Sequence, residues 1–154
     1  MRANSSAVLG VVSVTFNAEP FINEFMRCCL AQSYVDFKLL IIDNNSSDGS
    51  VVAVQQYDDP RIVLLVNSSN VGYAEACNQA IRHFKNLDTR ELLFINNDTI
   101  FSDTLFADLI NARTQYHADA VTPRITYASE PEKNWYAGGR FNYWRGFQGE
   151  HLGE

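Results

Sequence analysis

Positive charge is scarce in this sequence: 12 Lys and Arg stand against 18 Asp and Glu, a formal net charge of −6. A nucleic acid held through its phosphate backbone needs a basic face, so no nucleic-acid partner is expected. Glycine is sparse too, with 8 in 154 residues. Where the first apolar run ends, the chain reads Thr15-Phe16-Asn17-Ala18-Glu19. Neither Gly-x-x-x-x-Gly-Lys-Ser/Thr nor Gly-x-Gly-x-x-Gly is present, which disfavours P-loop enzymes and ordinary dehydrogenases. The three cysteines, Cys28, Cys29 and Cys77, lack metal-ligand spacing. Adjacent Cys28 and Cys29 read as core-facing thiols rather than a redox pair, and a reducing compartment is the simplest inference. The apolar stretch 7–14 is broken by Gly10 and Ser13. It is too short to span a bilayer and leads into a strand, so neither signal peptide nor anchor is expected.

What is present describes one globular domain over residues 1–154, 46% hydrophobic and 19% charged, without repeats or low-complexity tracts. Residues 8–16 predict a first strand. Asn17 is placed to cap a helix with Glu19 and Pro20 in its first turn and Phe21, Ile22, Phe25, Met26, Cys29 and Leu30 at helical spacing. Residues 38–42 and 62–66 predict further strands, with a short helix over 50–57 between them and a turn at Asp58-Asp59-Pro60. A helix over 73–85 has Ala76, Cys77, Ala80, Ile81 and Phe84 as its buried stripe. Residues 92–95, Leu-Leu-Phe-Ile, predict a strand covered on both faces. A helix over 103–116 follows, carrying Leu105, Phe106, Leu109 and Ile110, then a short strand near 120–125 that Pro123 places at an edge or a strand end. Strands alternating with helices predict an α/β fold with a mainly parallel sheet and right-handed crossovers. After Ser129 the chain turns aromatic and glycine-punctuated, read either as a hairpin packing on the sheet or as a segment approaching a ligand.

The polar residues fall at the carboxyl ends of the strands: Thr15 to Asn17, Asp43 to Gly49, Asn70 to Gly72 and Asn96 to Thr99. A parallel sheet gathers such segments along one edge, where open α/β sheets bind ligands. Asn and Asp also close turns with their own side chains. Four independent turns have no need of aspartate at two of these ends, which favours a site. With no glycine loop to neutralise a pyrophosphate, a Mg²⁺ or Mn²⁺ ion on Asp98 is the natural substitute, since such ions take one or two protein oxygens and leave the rest to phosphate and water.

Four segments together are specific: Val11 to Asn17, Leu40-Ile41-Ile42-Asp43-Asn44-Asn45-Ser46-Ser47-Asp48-Gly49-Ser50, Asn70-Val71-Gly72-Tyr73-Ala74 with Asn78, and Asn96-Asn97-Asp98-Thr99. In order and spacing they resemble the family 2 glycosyltransferases of the GT-A fold, most closely a rhamnosyltransferase-like branch. The resemblance covers essentially the whole chain and includes a Gly-Gly segment near Trp135 to Gly146. It implies a Rossmann-like, mainly parallel sheet sandwiched by helices, and a nucleotide-sugar donor such as a UDP-sugar or dTDP-rhamnose. Thr15, Phe16 and Asn17 would then line the nucleotide, with Phe16 against the base. Asp43 and Asn44 would bind base and ribose, Asn70, Gly72 and Asn97 would lie along the nucleotide, Asp98 would hold the metal, and Gly138 and Gly139 would border the donor sugar. The reaction implied is inverting transfer to a glycan or lipid-linked acceptor by a cytoplasmic protein working near the membrane.

Two departures reduce negative charge: the family's Asp-x-Asp-type motif reads Asn96-Asn97-Asp98, and its Asp-Asp pair after the second strand reads Asp43-Asn44. The general base belongs to an acceptor-side half that the family continues into, so the chain is expected to be the donor-binding half, truncated, with its catalytic base beyond Glu154. Self-association through Trp135, Tyr136, Phe141, Tyr143, Trp144 and Phe147 is expected for the same reason. His83 and His117 are expected at the surface. Glu150 and His151 are the nearest substitutes for a base. The alternatives are a non-catalytic nucleotide-sugar-binding module and, more distantly, a nucleotidyltransferase, which would carry a basic glycine-rich motif near Thr15 to Glu19.

Overall fold

The computed structural model describes residues 8–85, 87, 89–142 and 148–151, with side chains described up to residue 139. The chain divides into two compact units, one ending at Thr104 and one beginning at Leu105. In the first unit, β1 (Val8–Thr15), β2 (Phe37–Asp43), β3 (Ile62–Val66) and β4 (Thr89–Phe94) form one parallel sheet in the order β3-β2-β1-β4. The crossovers that parallel strands require are α1 (Glu19–Leu30), α2 (Ser50–Gln55) and α3 (Tyr73–Phe84). The chain steps outward from β1 to β3, then returns to the far side of β1 for β4. A topological switch point therefore lies between the carboxyl ends of β1 and β4.

Because β1 and β2 are central, both their faces are closed. Val12, Leu40 and Ile42 pack with Ala76, Ala80 and Phe84 of α3. Val11, Leu39 and Ile41, on the opposite face by the two-residue period, are equally buried, and α1 buries Ile22, Phe25 and Met26. Each such large side chain contributes roughly 1.5–3 kcal/mol. Gly10 permits the closest packing: a Cβ there would lie 2.6 Å from Leu92 Cδ2 and 3.1 Å from the Phe84 ring.

Several sequence expectations change. The run at 92–95 is not covered on both faces: β4 is an edge strand with alternating exposure, and Leu92 and Phe94 are exposed. On α3, Ile81 is exposed and Cys77 half-buried, which narrows the buried stripe to Ala76, Ala80 and Phe84. Cys28 and Cys29 are buried as expected, and desolvation pushes the Cys29 thiol well above its ordinary range. Asn17 does not cap α1: Ala18 is the N-cap residue, and the first N–H groups are satisfied by acceptors from another loop. The segment after β4 is tied back to α1, with Gln32 Nε2 donating to the carbonyls of Cys28 and Ser102, and Phe25 meeting Phe101 edge-on.

The second unit holds α4 (Leu105–Tyr116), an antiparallel pair of β5 (Ile125–Tyr127) with β6 (Glu130–Tyr136), and a hairpin of β7 (Gly139–Asn142) with β8 (Gln148–His151). Of the α4 stripe only Phe106 is fully buried. Residues 120–124 form no strand, because Pro123 withholds a ladder donor, and pairing begins at Ile125. The glycine-punctuated hairpin is present as β7 and β8. The side chains of Phe141, Tyr143, Trp144, Phe147, Glu150 and His151 lie outside the described residues.

At the opposite end of the sheet from the polar loops, Asp59 accepts from the Arg61 guanidinium in two bonds of 2.8 and 3.0 Å and from the Arg61 backbone N–H at 2.9 Å. The guanidinium lies over the buried Phe37 ring at 4.5 Å. The Arg61 hydrogen bonds hold the Asp59 carboxyl at about 2, below its ordinary 3.8. A depressed carboxyl pKa stabilises the fold above the unfolded value, and that stability is lost as pH falls towards the folded one. Lowering pH from 5 to 2 is therefore expected to cost about 1–2 kcal/mol through this group, after allowing for solvent screening. Urea midpoints at pH 5 and pH 2 should converge for Asp59→Asn and wild type. A constant gap would remove Asp59 from the acid sensitivity.

Candidate functional site

The polar strand ends meet because the strands are parallel and in register. The backbone N–H of Asn44 donates to Thr15 O, that of Asn67 to Asp43 O, and that of Ile95 to Val12 O. Asn97 closes the switch point, its Nδ2 donating to Val14 O at 2.9 Å and to Thr15 Oγ1 at 3.3 Å. The carboxyl ends of β1, β2, β3 and β4 are thus one connected edge.

The loop after β2 is built on Asp43, which is 1% exposed. Its Oδ1 accepts from the Ser46 N–H at 2.8 Å and its Oδ2 from the Ser46 hydroxyl at 2.5 Å. Ser46 Oγ in turn accepts from the Asn17 N–H, and Asn17 Oδ1 accepts from the Ser47 N–H, both at 2.9 Å. Further bonds join the same two loops: Ala18 N–H to Ser50 Oγ, Glu19 N–H to Asp48 Oδ2, and Gly49 N–H to Glu19 Oε2. The Ser50 hydroxyl bond is the main reason the Asp48 carboxyl sits below its ordinary value. Asn17 and Asn45 both hold positive φ, 51° and 66°, a conformation asparagine tolerates better than most residues and one that clusters at functional sites. The Asp43–Ser46–Asn17 chain therefore fixes the backbone beside Phe16.

Phe16 is 51% exposed, so its ring is not part of the core. A ring open to solvent on an anchored backbone is available for stacking. Thr15, by contrast, is buried at the end of β1. Asn44 is 3% exposed, and its Oδ1 accepts from Asn67 Nδ2, which also bonds Gln79 of α3. Asn70 Oδ1 accepts from the Gly72 N–H, forming a side-chain turn at the start of α3. Gly72 has φ 81° and open space where a Cβ would stand, so the position requires glycine for its dihedral, not for a close neighbour within the chain. Asn78 of that motif is exposed and interacts with Glu75.

Asp98 is exposed in the turn after β4, with no hydrogen-bond or ion-pair partner among the described residues. No group of three His, Cys, Asp or Glu side chains converges among the described residues. A fully protein-built metal cage is therefore not present there. The donor set still fits Mg²⁺ or Mn²⁺ carried by a diphosphate, which needs only one or two protein oxygens. His83 is half-buried against Phe84, and His117 is exposed with φ 49°. Gly138, with φ 112°, lies between β6 and β7 in the second unit, and Gly139 is the first residue of β7.

The residues that sequence reasoning passed over are Ser46, Asn67 and Gln79. Ser46 stands three residues after Asp43, one beyond the reach of an Asx turn, in a run of Asn and Ser that marks a side-chain-closed loop. Asn67 and Gln79 had no comparable signal, since an amide pair twelve residues apart across a strand end and a helix follows no local spacing rule.

The sequence model described as Glycosyl transferase family 2 matches residues 10–153. The chain is 31% identical over 94 residues to a UDP-Glc:alpha-D-GlcNAc-diphosphoundecaprenol beta-1,3-glucosyltransferase of Escherichia coli, covering 61% of this chain and 36% of that protein. It is 36% identical over 75 residues to an N-acetylglucosaminyl-diphospho-decaprenol L-rhamnosyltransferase of Mycobacterium tuberculosis, covering 48% and 24%. The matched segments thus span only about a quarter to a third of these two relatives. Among solved structures, S. aureus TarS 1-349 in complex with UDP superposes with a TM-score of 0.63 at 17% identity, covering 77% of this chain and 41% of that one. A mannosyltransferase from Pyrobaculum calidifontis in complex with GDP-Man and Mn²⁺ gives 0.58 at 21%, covering 77% and 34%. At these identities the likeness shows the fold, which is GT-A. No described helix is long and apolar enough to cross a membrane.

Proposed function

The chain belongs to glycosyl transferase family 2, and from that membership we propose that its strand-end cluster binds a nucleotide-sugar donor for transfer to an acceptor hydroxyl. The observation that carries this reading is the connected edge at the switch point, with an exposed Phe16 following β1 and an exposed Asp98, without a partner among the described residues, following β4. Phe16 offers a stacking face to a base, and Asp43 and Asn44 supply an acceptor and a donor beside it. The Asn70–Gly72 turn gives the nucleotide a loop whose glycine has no side chain, and Asn97 holds the end of β4 against β1, which keeps the turn carrying Asp98 at this edge.

A Mg²⁺ or Mn²⁺ ion on Asp98, when bound, would offset the charge of the departing nucleoside diphosphate. The acceptor oxygen would form its bond to the sugar C1 as the bond from C1 to the diphosphate oxygen breaks, with inversion, and the hydroxyl proton would pass to a general base. Pyrimidine donors, a UDP-sugar or dTDP-rhamnose, fit the reading: one relative named above is a UDP-Glc-dependent glucosyltransferase by its name, and the other an L-rhamnosyltransferase. A glycan or lipid-linked acceptor belongs to the same proposal, as do cytoplasmic action close to a membrane, Gly138 and Gly139 beside the donor sugar, and pairing of copies through the segment of exposed Trp135.

The test is calorimetric titration with UDP and dTDP in Mn²⁺. Wild type is expected to bind at least one of them, and Phe16→Ala to bind more weakly by on the order of 1–3 kcal/mol, the range for one lost aromatic–base stack. Because Phe16 is half out of the core, its thermal midpoint should hardly move. Binding unchanged in Phe16→Ala would take the base away from this ring, and no binding by wild type would sink the reading itself.

A further inference from the structure

We infer that Asn67, held in one orientation by Gln79, is a positioning residue that makes Asn44 a hydrogen-bond donor to the bound nucleoside. The inference rests on the nucleotide-sugar reading and deepens it by assigning a polarity to one of its contacts. Asn67 and Gln79 face each other as a reciprocal amide pair: Gln79 Nε2 donates to Asn67 Oδ1, and Asn67 Nδ2 donates to Gln79 Oε1, both at 3.0 Å. The second N–H of Asn67 donates to Asn44 Oδ1 at 2.9 Å. Since an amide presents a donor at one end and an acceptor at the other, the orientation of each member of this chain dictates that of the next.

Asn44 is the end of the chain. Its acceptor is taken by Asn67, its backbone N–H is taken by Thr15 O at 2.8 Å, and its Nδ2 has no partner among the described residues and is not among the polar atoms closed off from solvent, although the residue as a whole is 3% exposed. That N–H faces solvent in the free chain, and a ligand that covered it without accepting from it would strand a donor. The group that completes this one has to be an acceptor, and a pyrimidine carbonyl or a ribose hydroxyl oxygen supplies it. Turning Asn44 round to offer its oxygen would require Asn67 to turn, and Asn67 can turn only with Gln79. The three amides reverse together or not at all, so the donor orientation of Asn44 is set by the trio as a whole and not by Asn44 alone.

The experiment is UDP titration in Mn²⁺ on the full chain, comparing wild type, Asn67→Asp, Asn67→Ala, Asn44→Ala and the double variant Asn44→Ala/Asn67→Asp, with thermal unfolding of each. In Asn67→Asp the new carboxylate still accepts from Gln79 but cannot donate, so Asn44 bonds it through Nδ2 and offers its oxygen to the nucleoside. In Asn67→Ala, Asn44 is merely free to choose. Asn67→Asp should therefore weaken UDP binding by at least about tenfold, as expected when a donor is replaced by an opposed acceptor, and Asn67→Ala by less. The Asn67→Asp loss should vanish when Asn44 is already alanine.

A residue that only props the fold would give the reverse order, because aspartate keeps the shape that alanine deletes. A loss due to added negative charge near the diphosphate would persist in the Asn44→Ala background. Either result overturns the inference. Should Asn67→Asp fail to fold, Gln79→Met releases Asn67 instead: a loss of about threefold or more that disappears in Asn44→Ala supports the relay, and an equal loss in both backgrounds overturns it. Wild-type binding with the wrong order of variants overturns the relay alone, whereas absence of wild-type binding to UDP and dTDP overturns the functional reading and the relay with it.

Discussion

Replacing Asp98 with alanine is expected to remove the Mn²⁺-dependent part of UDP or dTDP binding, a loss of roughly 10- to 100-fold, while the thermal midpoint stays near that of wild type. The magnitude follows from one charge-assisted contact, about 1.5–3 kcal/mol. The indifference of the fold follows from position: Asp98 is exposed in a turn after β4 and has no side-chain partner among the described residues to leave stranded. Its neighbour behaves oppositely. Asn97 bonds Val14 O and Thr15 Oγ1, so Asn97→Ala should loosen β4 from β1 as well as weaken binding. The measurement is paired calorimetry with Mn²⁺ and with EDTA. If wild type and Asp98→Ala respond identically to the metal, Asp98 is not its ligand. With only one acidic residue in the motif and no other metal-ligating cluster among the described residues, affinity for the ion without nucleotide should be weak, which the same titrations measure.

The strands and the gathering of their polar ends were legible because two local signals agreed: continuous apolar runs such as residues 39–42, and abrupt Asn, Asp or Thr at their exits. Parallel topology then does the rest, since it brings every exit to one side. What local pattern does not carry is strand order. Leu92 to Ile95 reads like residues 39–42, yet β2 lies between two strands and β4 at an edge. Asn17 illustrates a second limit. It has the chemistry of an N-cap, but Asp48 and Ser50 arrive from a loop thirty residues away and satisfy the first N–H groups of α1, which leaves Asn17 free to adopt positive φ and bond Ser47 instead. Tertiary partners outcompeted the local rule. Phe16 was ambiguous for the same reason: a strand-end aromatic is core or platform according to what covers it, and its 51% exposure decides. The amide chain of Asn44, Asn67 and Gln79 depends on where α3 lands against the ends of β2 and β3, and no single segment encodes that.

Asp43 offers the largest combined effect, because one carboxylate supports both the loop and the proposed nucleoside contact. Asp43→Ala removes the acceptor for the Ser46 N–H and hydroxyl at a site that is 1% exposed, leaving two donors to find new partners. With about 1–3 kcal/mol for a stranded buried donor, a loss of at least about 2 kcal/mol of stability is expected by urea unfolding. Binding should fall further than the missing contact alone accounts for. Ser46 also accepts from the Asn17 N–H, so releasing it releases the backbone that carries Phe16. Asp43→Asn separates the two roles. The amide oxygen can still accept from the Ser46 N–H, and the Ser46 hydroxyl can rotate to accept from the new NH₂, so stability should fall by no more than about 1 kcal/mol. The nucleoside would nevertheless meet a side chain with one acceptor replaced by a donor, and UDP affinity should drop by about tenfold, the scale of a single charge-assisted hydrogen bond. Asp43→Asn with wild-type affinity would show that Asp43 only builds the loop, and Asp43→Ala with wild-type stability would show that Ser46 does not depend on it.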